Sequence, residues 1–346
     1  MNNGQLEIRH IHAGDLFGLR RARWNFVDAG LLPIDSQQPA LTVALPIARG
    51  VRRAFVASIH QRACGLIEIE TDPHEYRWLI SRLGITMTQP METFERMCSS
   101  VDIWTELLLA AVRAAALSGA KRLHATPPVD TPALASFRKA AFINYAEETV
   151  FMTSEAIHAR RAEVPVREQE PSDTWSVHQL YHRATPHPIQ YVHAFTSNHW
   201  DTSRSVRAFL AERDHELIAY CRVAQFGGDV ILEPLALPGE ASILPGLISE
   251  ALVRCRAGRR NVIWVGIADY HREYQQALLD LGFSPVDRRA CMVRYTAVPA
   301  RVSLERAGSL ADVVDRLPAP ARLPSYSVRH PAPERTGTGE ALTTHG

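Results

Sequence analysis

The same order of strand-like and helix-like segments runs along this chain twice, and that repeat restricts its possible folds more than any other feature. In the first pass, residues 6–11 alternate apolar and polar as a half-buried strand does, and 13–25 follow with helical spacing of Leu16, Leu19 and Trp24. Residues 53–58 and 63–70 form a predicted hairpin. Residues 102–118, rich in Leu and Ala, form the clearest helix, with Gly119 as its cap. A short strand at 121–126 stops at Pro127-Pro128, a helix at 131–141 carries Pro132 in its first turn, and 144–152 close the unit as strand. The second pass predicts a helix at 174–183, strands at 206–213, 216–224 and 230–235, and a helix at 243–257. A buried strand at 261–267, a helix at 272–281 ending on Gly282, and a strand at 289–295 complete it.

Residue matches support the repeat. Ala54-Phe55 pairs with Ala208-Phe209, Ile103 before Leu107-Leu108 with Ile243 before Leu247-Ile248, and Phe142 with Phe283. The spacing between partners shortens by about fourteen residues midway, which predicts an insertion in the first copy within 71–100. The expected organisation is an α/β chain with a first unit over 1–155, a charged linker with Pro165 and Pro171 over 156–173, and a second unit over 174–298. A Pro-rich tail over 299–346 offers little to bury.

Composition removes several classes. The balance of 38 Lys+Arg against 37 Asp+Glu provides no field for nucleic acid or an anionic membrane. Five scattered cysteines without a CxxC spacing argue against a disulfide framework and a structural zinc site. The first fifteen residues lack an apolar signal core, and no apolar run is long enough to span a membrane, so the reducing cytoplasm is the expected location. Nucleophile-elbow, Walker, dinucleotide and kinase motifs are absent.

The element order, with Ala277-Leu278-Leu279-Asp280-Leu281-Gly282-Phe283 in the second copy and Ala133-Leu134-Ala135-Ser136-Phe137-Arg138-Lys139-Ala140-Ala141-Phe142 in the first, resembles the GNAT N-acetyltransferase superfamily. That resemblance covers about 5–152 and 174–297 and implies two tandem GNAT-like acyl-CoA N-acyltransferase domains. It also implies a sheet that splays open to admit the pantetheine arm of acetyl-CoA, and a Gly-rich turn that offers amides to the pyrophosphate at a helix start. Ser99, Ser100 and Val101 in the first copy, and Ala241, Ser242 and Ile243 in the second, occupy the positions of that cofactor-binding turn. The family pattern of Arg/Gln-x-x-Gly-x-Gly/Ala is replaced there by Glu95 to Ser100, without glycine, and by Pro238-Gly239-Glu240, with its glycine out of register. The proton-donating Tyr expected in the last helix is Phe137 in one copy and Leu278 in the other.

For catalysis the resemblance points to Glu233, on a strand beside the expected splay, as a base whose pKa apolar neighbours would raise. Glu68 and Glu70 are its first-copy counterparts, expected to face solvent. Tyr270, Tyr274 and Tyr145 are the nearby hydroxyls. Tyr270 is the candidate catalytic partner of Glu233, and the plainer expectation for all three is packing with a bonded hydroxyl. His178, His182, His187, His193 and His199 crowd the start of the second copy. His178 and His182 share a helix face, but no third ligand is indicated, so no metal is expected. Two functions follow. One is acetyl transfer from acetyl-CoA to an amine acceptor, small molecule or peptide, by direct attack. The other is a binding or scaffold protein that keeps the fold and has lost the cofactor site.

Overall fold

A computed structural model of the 346-residue chain describes residues 6–12, 15, 19, 24–30, 52–60, 62–72, 77–86, 100–155, 157–226, 229–257 and 262–296. The Pro-rich tail, most of the first predicted helix and residues 87–99, Ser99 among them, lie outside the described residues. Val298 ends one compact unit, which contains both copies of the repeat.

The first copy supplies strands β1 (Glu7–His10), β2 (Trp24–Asp28), β3 (Arg52–Ile59), β4 (Arg62–Asp72), β5 (Arg77–Thr86), β6 (Arg122–Ala125) and β7 (Ile143–Thr153), with helices α1 (Ser100–Leu117) and α2 (Pro132–Lys139). The second supplies β8 (Val166–Glu168), β9 (Val206–Arg213), β10 (Glu216–Phe226), β11 (Asp229–Ala236), β12 (Ile263–Ala268) and β13 (Ser284–Tyr295), with helices α3 (Thr174–Ala184), α4 (His187–His193), α5 (Leu244–Arg254) and α6 (Tyr274–Asp280). Strands β3–β4 and β9–β10 are the expected hairpins, in matching positions. Between β5 and α1 lie 13 residues (87–99) where the second copy has seven (237–243), so part of the extra length falls inside the interval that the repeat spacing marks.

Among the described residues all thirteen strands join one sheet, ordered β1-β3-β4-β5-β6-β13-β7-β12-β11-β10-β9-β8, with β2 paired to β5 off this path. The centre of that order is an exchange. The closing strand of the second copy, β13, lies beside β6 of the first, and the closing strand of the first, β7, lies beside β12 of the second. The two closing strands run antiparallel to each other from Ser284↔Met152 to Val293↔Ile143, reinforced by the Arg288–Glu147 ion pair at 2.6 Å. Each half therefore completes its sheet with a strand from the other.

The segment expected as a linker holds edge strand β8. Arg167 ties it to Asp173 and Glu212, and Arg207 ties Glu168 to β9. Before it, the His158 amide donates to the Leu281 carbonyl and the Arg160 amide to Ser249 of α5. Two further expectations are corrected. Trp24 and Asn25, placed in a helix by their spacing, belong to strand β2, because Trp24 and Phe26 alternate along an extended partner of β5. Glu68, expected in solvent, is buried and lies opposite Arg82 across the β4–β5 pair.

The two copies end their last helix the same way. The Phe142 amide donates to the Phe137 carbonyl, and the Phe283 amide donates to the Leu278 carbonyl. The residue before each Phe is left-handed: Gly282 at φ +92° and Ala141 at φ +58°. Glycine takes that conformation freely, whereas alanine carries a Cβ that crowds the backbone. Ala141→Gly is therefore expected to raise stability by about 0.5–1 kcal/mol in urea unfolding, the gain from released strain exceeding the entropy that a glycine adds to the unfolded chain.

Candidate functional site

Parallel neighbours β5 and β6 pair over three positions, from Arg77↔Arg122 to Leu79↔His124, and then diverge. Their counterparts β11 and β12 do the same from Val230↔Ile263 to Leu232↔Val265. The chain thus contains two splays, one per copy, where the resemblance expects them. Backbone groups on a diverging strand need partners, because burying an amide or carbonyl without one costs about as much as a lost hydrogen bond. What meets that need decides what each splay can accept.

In the first copy the partner is another part of the chain. Strand β2 enters the splay and pairs antiparallel with β5, from Trp24↔Thr86 to Asp28↔Arg82. Beyond it the Ala29 amide donates to the Ser81 carbonyl at 2.9 Å, and the Ala29 carbonyl accepts from the Thr126 amide at 2.6 Å, so β5 and the end of β6 are bridged by one residue. Gly84 allows the Phe26 ring to lie directly on β5: a Cβ there would come within 2.5 Å of it. From the other side Trp104, in the first turn of α1, is buried and donates its indole N–H to the Gly84 carbonyl at 3.4 Å.

In the second copy a side chain does the same. The Tyr274 hydroxyl of α6 donates to the Ala236 carbonyl at 2.7 Å and accepts from the Ala236 amide at 2.9 Å, which satisfies both polar groups of β11 where it has left β12. Tyr274 is buried, with the His271 ring stacked on it at 4.6 Å. Tyr274 is thus a packed tyrosine with a bonded hydroxyl, as the plainer expectation has it.

The candidate cofactor-binding residues are distributed as follows. Ser100 and Val101 open α1, and the Val101 carbonyl accepts from the hydroxyls of Thr105 and Ser136. Asp102 adds a carboxylate to this first turn, paired with Lys139 at 3.1 Å and solvent-exposed. Ala241, Ser242 and Ile243 form a 3-10 turn ahead of α5. Its amides are partly committed: Glu240 N–H donates to Leu237, Ile243 N–H to Glu240, and Pro245 has none. Glu240, held by Arg213 at 2.7 Å, places negative charge beside it. At both helix starts the nearby carboxylate is thus paired with a basic side chain, Lys139 in one case and Arg213 in the other.

Glu233 sits one residue beyond the last paired position of β11, at the edge of the second splay, and its side chain is 45% exposed. Partial burial works to raise its pKa. The His199 imidazole, 3.8 Å away, and the charges of Arg222, 3.5 Å away, and Arg77 outweigh that and hold the carboxyl at about 2. This corrects the expectation of a raised pKa: the neighbours facing the carboxylate are cationic rather than apolar. A carboxylate this acidic is a poor acceptor for an ammonium proton. Tyr270 packs against Ala146, Ile189 and Cys291, and burial pushes its hydroxyl well above the ordinary tyrosine range, so it yields a proton less readily. The structure places the two in one neighbourhood, around His193, without joining them by any hydrogen bond it describes.

That neighbourhood was the least legible in sequence, because it is assembled from both copies. His193 of α4 lies between the Tyr181 hydroxyl, 3.1 Å from Nδ1, and the Tyr145 hydroxyl of β7, 3.4 Å from Nε2. Phe195 stacks on His199 at 3.7 Å, and Arg77 of the first copy covers the Phe195 ring at 4.7 Å. Buried His124 and Tyr145 meet edge to face.

The two histidines at helical spacing form a directed chain. The Trp200 indole donates to His178 Nδ1 at 3.1 Å, so a neutral His178 carries its proton on Nε2 and presents it to His182 Nε2 at 3.1 Å. His182 Nδ1 then donates to Gln190, whose own amide hydrogens are spent on the carbonyls of His182 and Thr185. A metal between the two Nε2 atoms would need the lone pair that the Trp200 contact denies to His178. Among the described residues no group of three or more His, Cys, Asp or Glu side chains could hold a metal ion. A groove of about 700 Å³ lined by Trp175, His178, His182, Arg183, Glu212 and Glu216 runs beside this chain, apart from Glu233.

Burial, aided by Arg77 and His199, lowers the His193 pKa from its ordinary 6.5 to about 4. A histidine lowered on folding is held neutral by the fold. Its contribution is full above pH 6.5 and is lost as pH falls from 6.5 towards 4. Glu148, raised to about 7 by burial, acts in the opposite sense between pH 4.5 and 7, so the histidine is isolated by difference. The stability gap between the protein and His193→Gln is expected to shrink by up to about 3 kcal/mol between pH 7 and pH 4 in urea unfolding. A gap independent of pH would show that His193 is not held neutral.

No known family profile matches the sequence, and no curated protein matches it. Solved structures do match. A putative acetyltransferase from Pyrococcus horikoshii superposes with a TM-score of 0.51 at 14% identity, over 86% of this chain and 93% of that one. A GCN5-related N-acetyltransferase from Sphaerobacter thermophilus gives 0.51 at 12% identity, over 85% and 96%. A tandem GNAT protein from the clavulanic acid biosynthesis pathway gives 0.49 at 14% identity, over 85% and 99%.

Proposed function

We propose that this protein, which has the GNAT acetyltransferase fold, is a binding or scaffold module whose two acyl-CoA openings are closed by its own chain. The observation that carries this reading is the double closure: β2 fills the first splay and the Tyr274 hydroxyl fills the second. A pantetheine arm binds such a splay through the backbone of the diverging strand. In the first copy those groups pair with β2, and in the second the amide and carbonyl of Ala236 pair with Tyr274, so a ligand would have to displace these partners. Asp102 in the first turn of α1, and Glu240 just ahead of the 241–243 turn, add carboxylates near the positions a pyrophosphate would take.

The second reading, acyl transfer from acetyl-CoA to an amine, draws on Glu233. Its ionised, half-exposed carboxylate stands at the edge of a splay, where it could hold an ammonium group in place. Positioning rather than proton abstraction would then be its contribution. No helix among the described residues is long and apolar enough to cross a membrane, and Cys64, Cys221, Cys255 and Cys291 are free thiols, which fits our placement of the protein in a reducing cytoplasm.

Thermal unfolding with acetyl-CoA or CoA separates the readings. The module reading expects a shift below about 1 °C at about 1 mM ligand, whereas micromolar binding would stabilise by about 4 kcal/mol and raise Tm by several degrees. A shift of that size would establish acyl-CoA binding and return the acyltransferase reading to first place. Tyr274→Phe removes both bonds to Ala236 and leaves its amide and carbonyl buried without partners. It is expected to cost about 1–3 kcal/mol in urea unfolding.

A further inference from the structure

The groove beside the His178–His182 chain lies on a different face from both splays: α3 and the ends of β8, β9 and β10 line it, with no residue of β2, β5, β11 or α6. One wall is α3. Trp175 stands on it 60% exposed, a large ring left in water at the mouth of a groove. Its ring lies 5.5 Å from that of His178, and His178 meets His182 edge to face at 4.5 Å, so three rings follow one helix face. The imidazole nitrogens are all spent within the protein, on Trp200, on each other and on Gln190. This wall therefore offers ring surface without a free imidazole donor or acceptor.

The other wall is the β9–β10 hairpin. Leu210, Glu212 and Leu217 share one of its faces, since Leu217 pairs with Glu212 and Leu210 lies two residues before it. Asp173, Glu212 and Glu216 bring three carboxylates to the groove against the two guanidiniums of Arg167 and Arg183. Arg167 is fully engaged: Nε and Nη2 donate to Glu212, and Nη1 and Nη2 to Asp173, at 2.6–3.1 Å. Glu212 accepts it through Oε1, and Glu216 accepts Arg183 through Oε1 as well; among the described residues no hydrogen bond uses the Oε2 of either. An anion would meet a carboxylate beside each guanidinium, whereas a cation finds one negative charge in excess.

From this we infer that the groove is a binding site for a small methylated ammonium compound, a choline-like cation seated on Trp175 and facing Glu212 and Glu216. Ring faces attract a cation through their negative quadrupole, and the carboxylates add to that field. Methylation follows from the aromatic wall: an N–H laid against it would lose its hydrogen bonds to water without replacement, and a quaternary nitrogen has none to lose. Its methyl groups also cover the Trp175 ring and the leucines. The groove, at about 700 Å³, has room for such a molecule. The inference stands whether or not the splays are closed, and it gives the module a ligand of its own.

Titration of the full chain with choline tests this, followed by the NMR signal of the Trp175 indole N–H, which is the one missing from Trp175→Ala. Choline is expected to shift that signal with a Kd of about 1–10 mM. Its neutral isostere 3,3-dimethylbutanol has the same shape without the charge and is expected to bind at least about tenfold more weakly. Binding followed on the choline methyl signal is expected to fall at least about tenfold in Trp175→Ala and to stay within about threefold in Trp175→Phe, which keeps a ring face. Glu216→Gln, at an exposed position, is expected to weaken choline and leave the isostere unchanged. No response to choline at about 50 mM, equal binding of the isostere, or undiminished binding by Trp175→Ala would overturn the site. If a variant does not fold, choline against its isostere on the unaltered chain decides alone. None of these outcomes bears on the closed splays, which acetyl-CoA tests separately.

Discussion

The structure depends on the antiparallel contact between β7 and β13 at the centre of the sheet. Because each closing strand lies against the other copy's parallel strand, neither half has a finished sheet without its neighbour. An unpaired strand edge in the middle of a core would leave a row of amides and carbonyls without partners, and the exchange removes both edges at once. It also fixes the geometry of the cleft between copies. Tyr145 on β7 can reach His193 on α4, and Arg77 can reach Phe195, only because the two sheets are one.

The same accounting of backbone hydrogen bonds explains the splays. A sheet of this order must open where parallel neighbours separate, and an open sheet needs something to bond. Proteins that bind a ligand there leave the bonds to the ligand. This chain provides them from within, by two unrelated means, a strand in one copy and a phenol in the other.

Much of the fold was legible in sequence because it rests on local pattern. The hairpins, the Leu- and Ala-rich α1, and the helix ends before Phe142 and Phe283 follow from periodicity and from small residues at caps. Strand β5 was missed, although Trp78, Ile80 and Leu83 are buried in it, because the run lies inside the stretch read as an insertion. Strand β2 was read as the end of a helix because Trp24 fits both periods, and only its pairing with β5 decides between them. The candidate site was less legible, for a physical reason: what distinguishes Glu233 is the charge of Arg222, His199 and Arg77, which come from three separate parts of the chain.

The copies also differ at one pair of matching positions in a way that makes the two openings inequivalent. Opposite one another across β4 and β5 stand Glu68 and Arg82; across the corresponding β10 and β11 stand Arg222 and Glu233. The charges are exchanged. On the strand that borders the splay the first copy therefore presents a cation and the second an anion. The cation is sealed by Phe26 and Asp28, while the anion is half exposed. Arg82 meets Asp28 of β2 and lies against the Phe26 ring, whereas Glu233 faces Arg222 and His199. The two openings are thus bordered by opposite charges, one covered by β2 and the other half open to solvent.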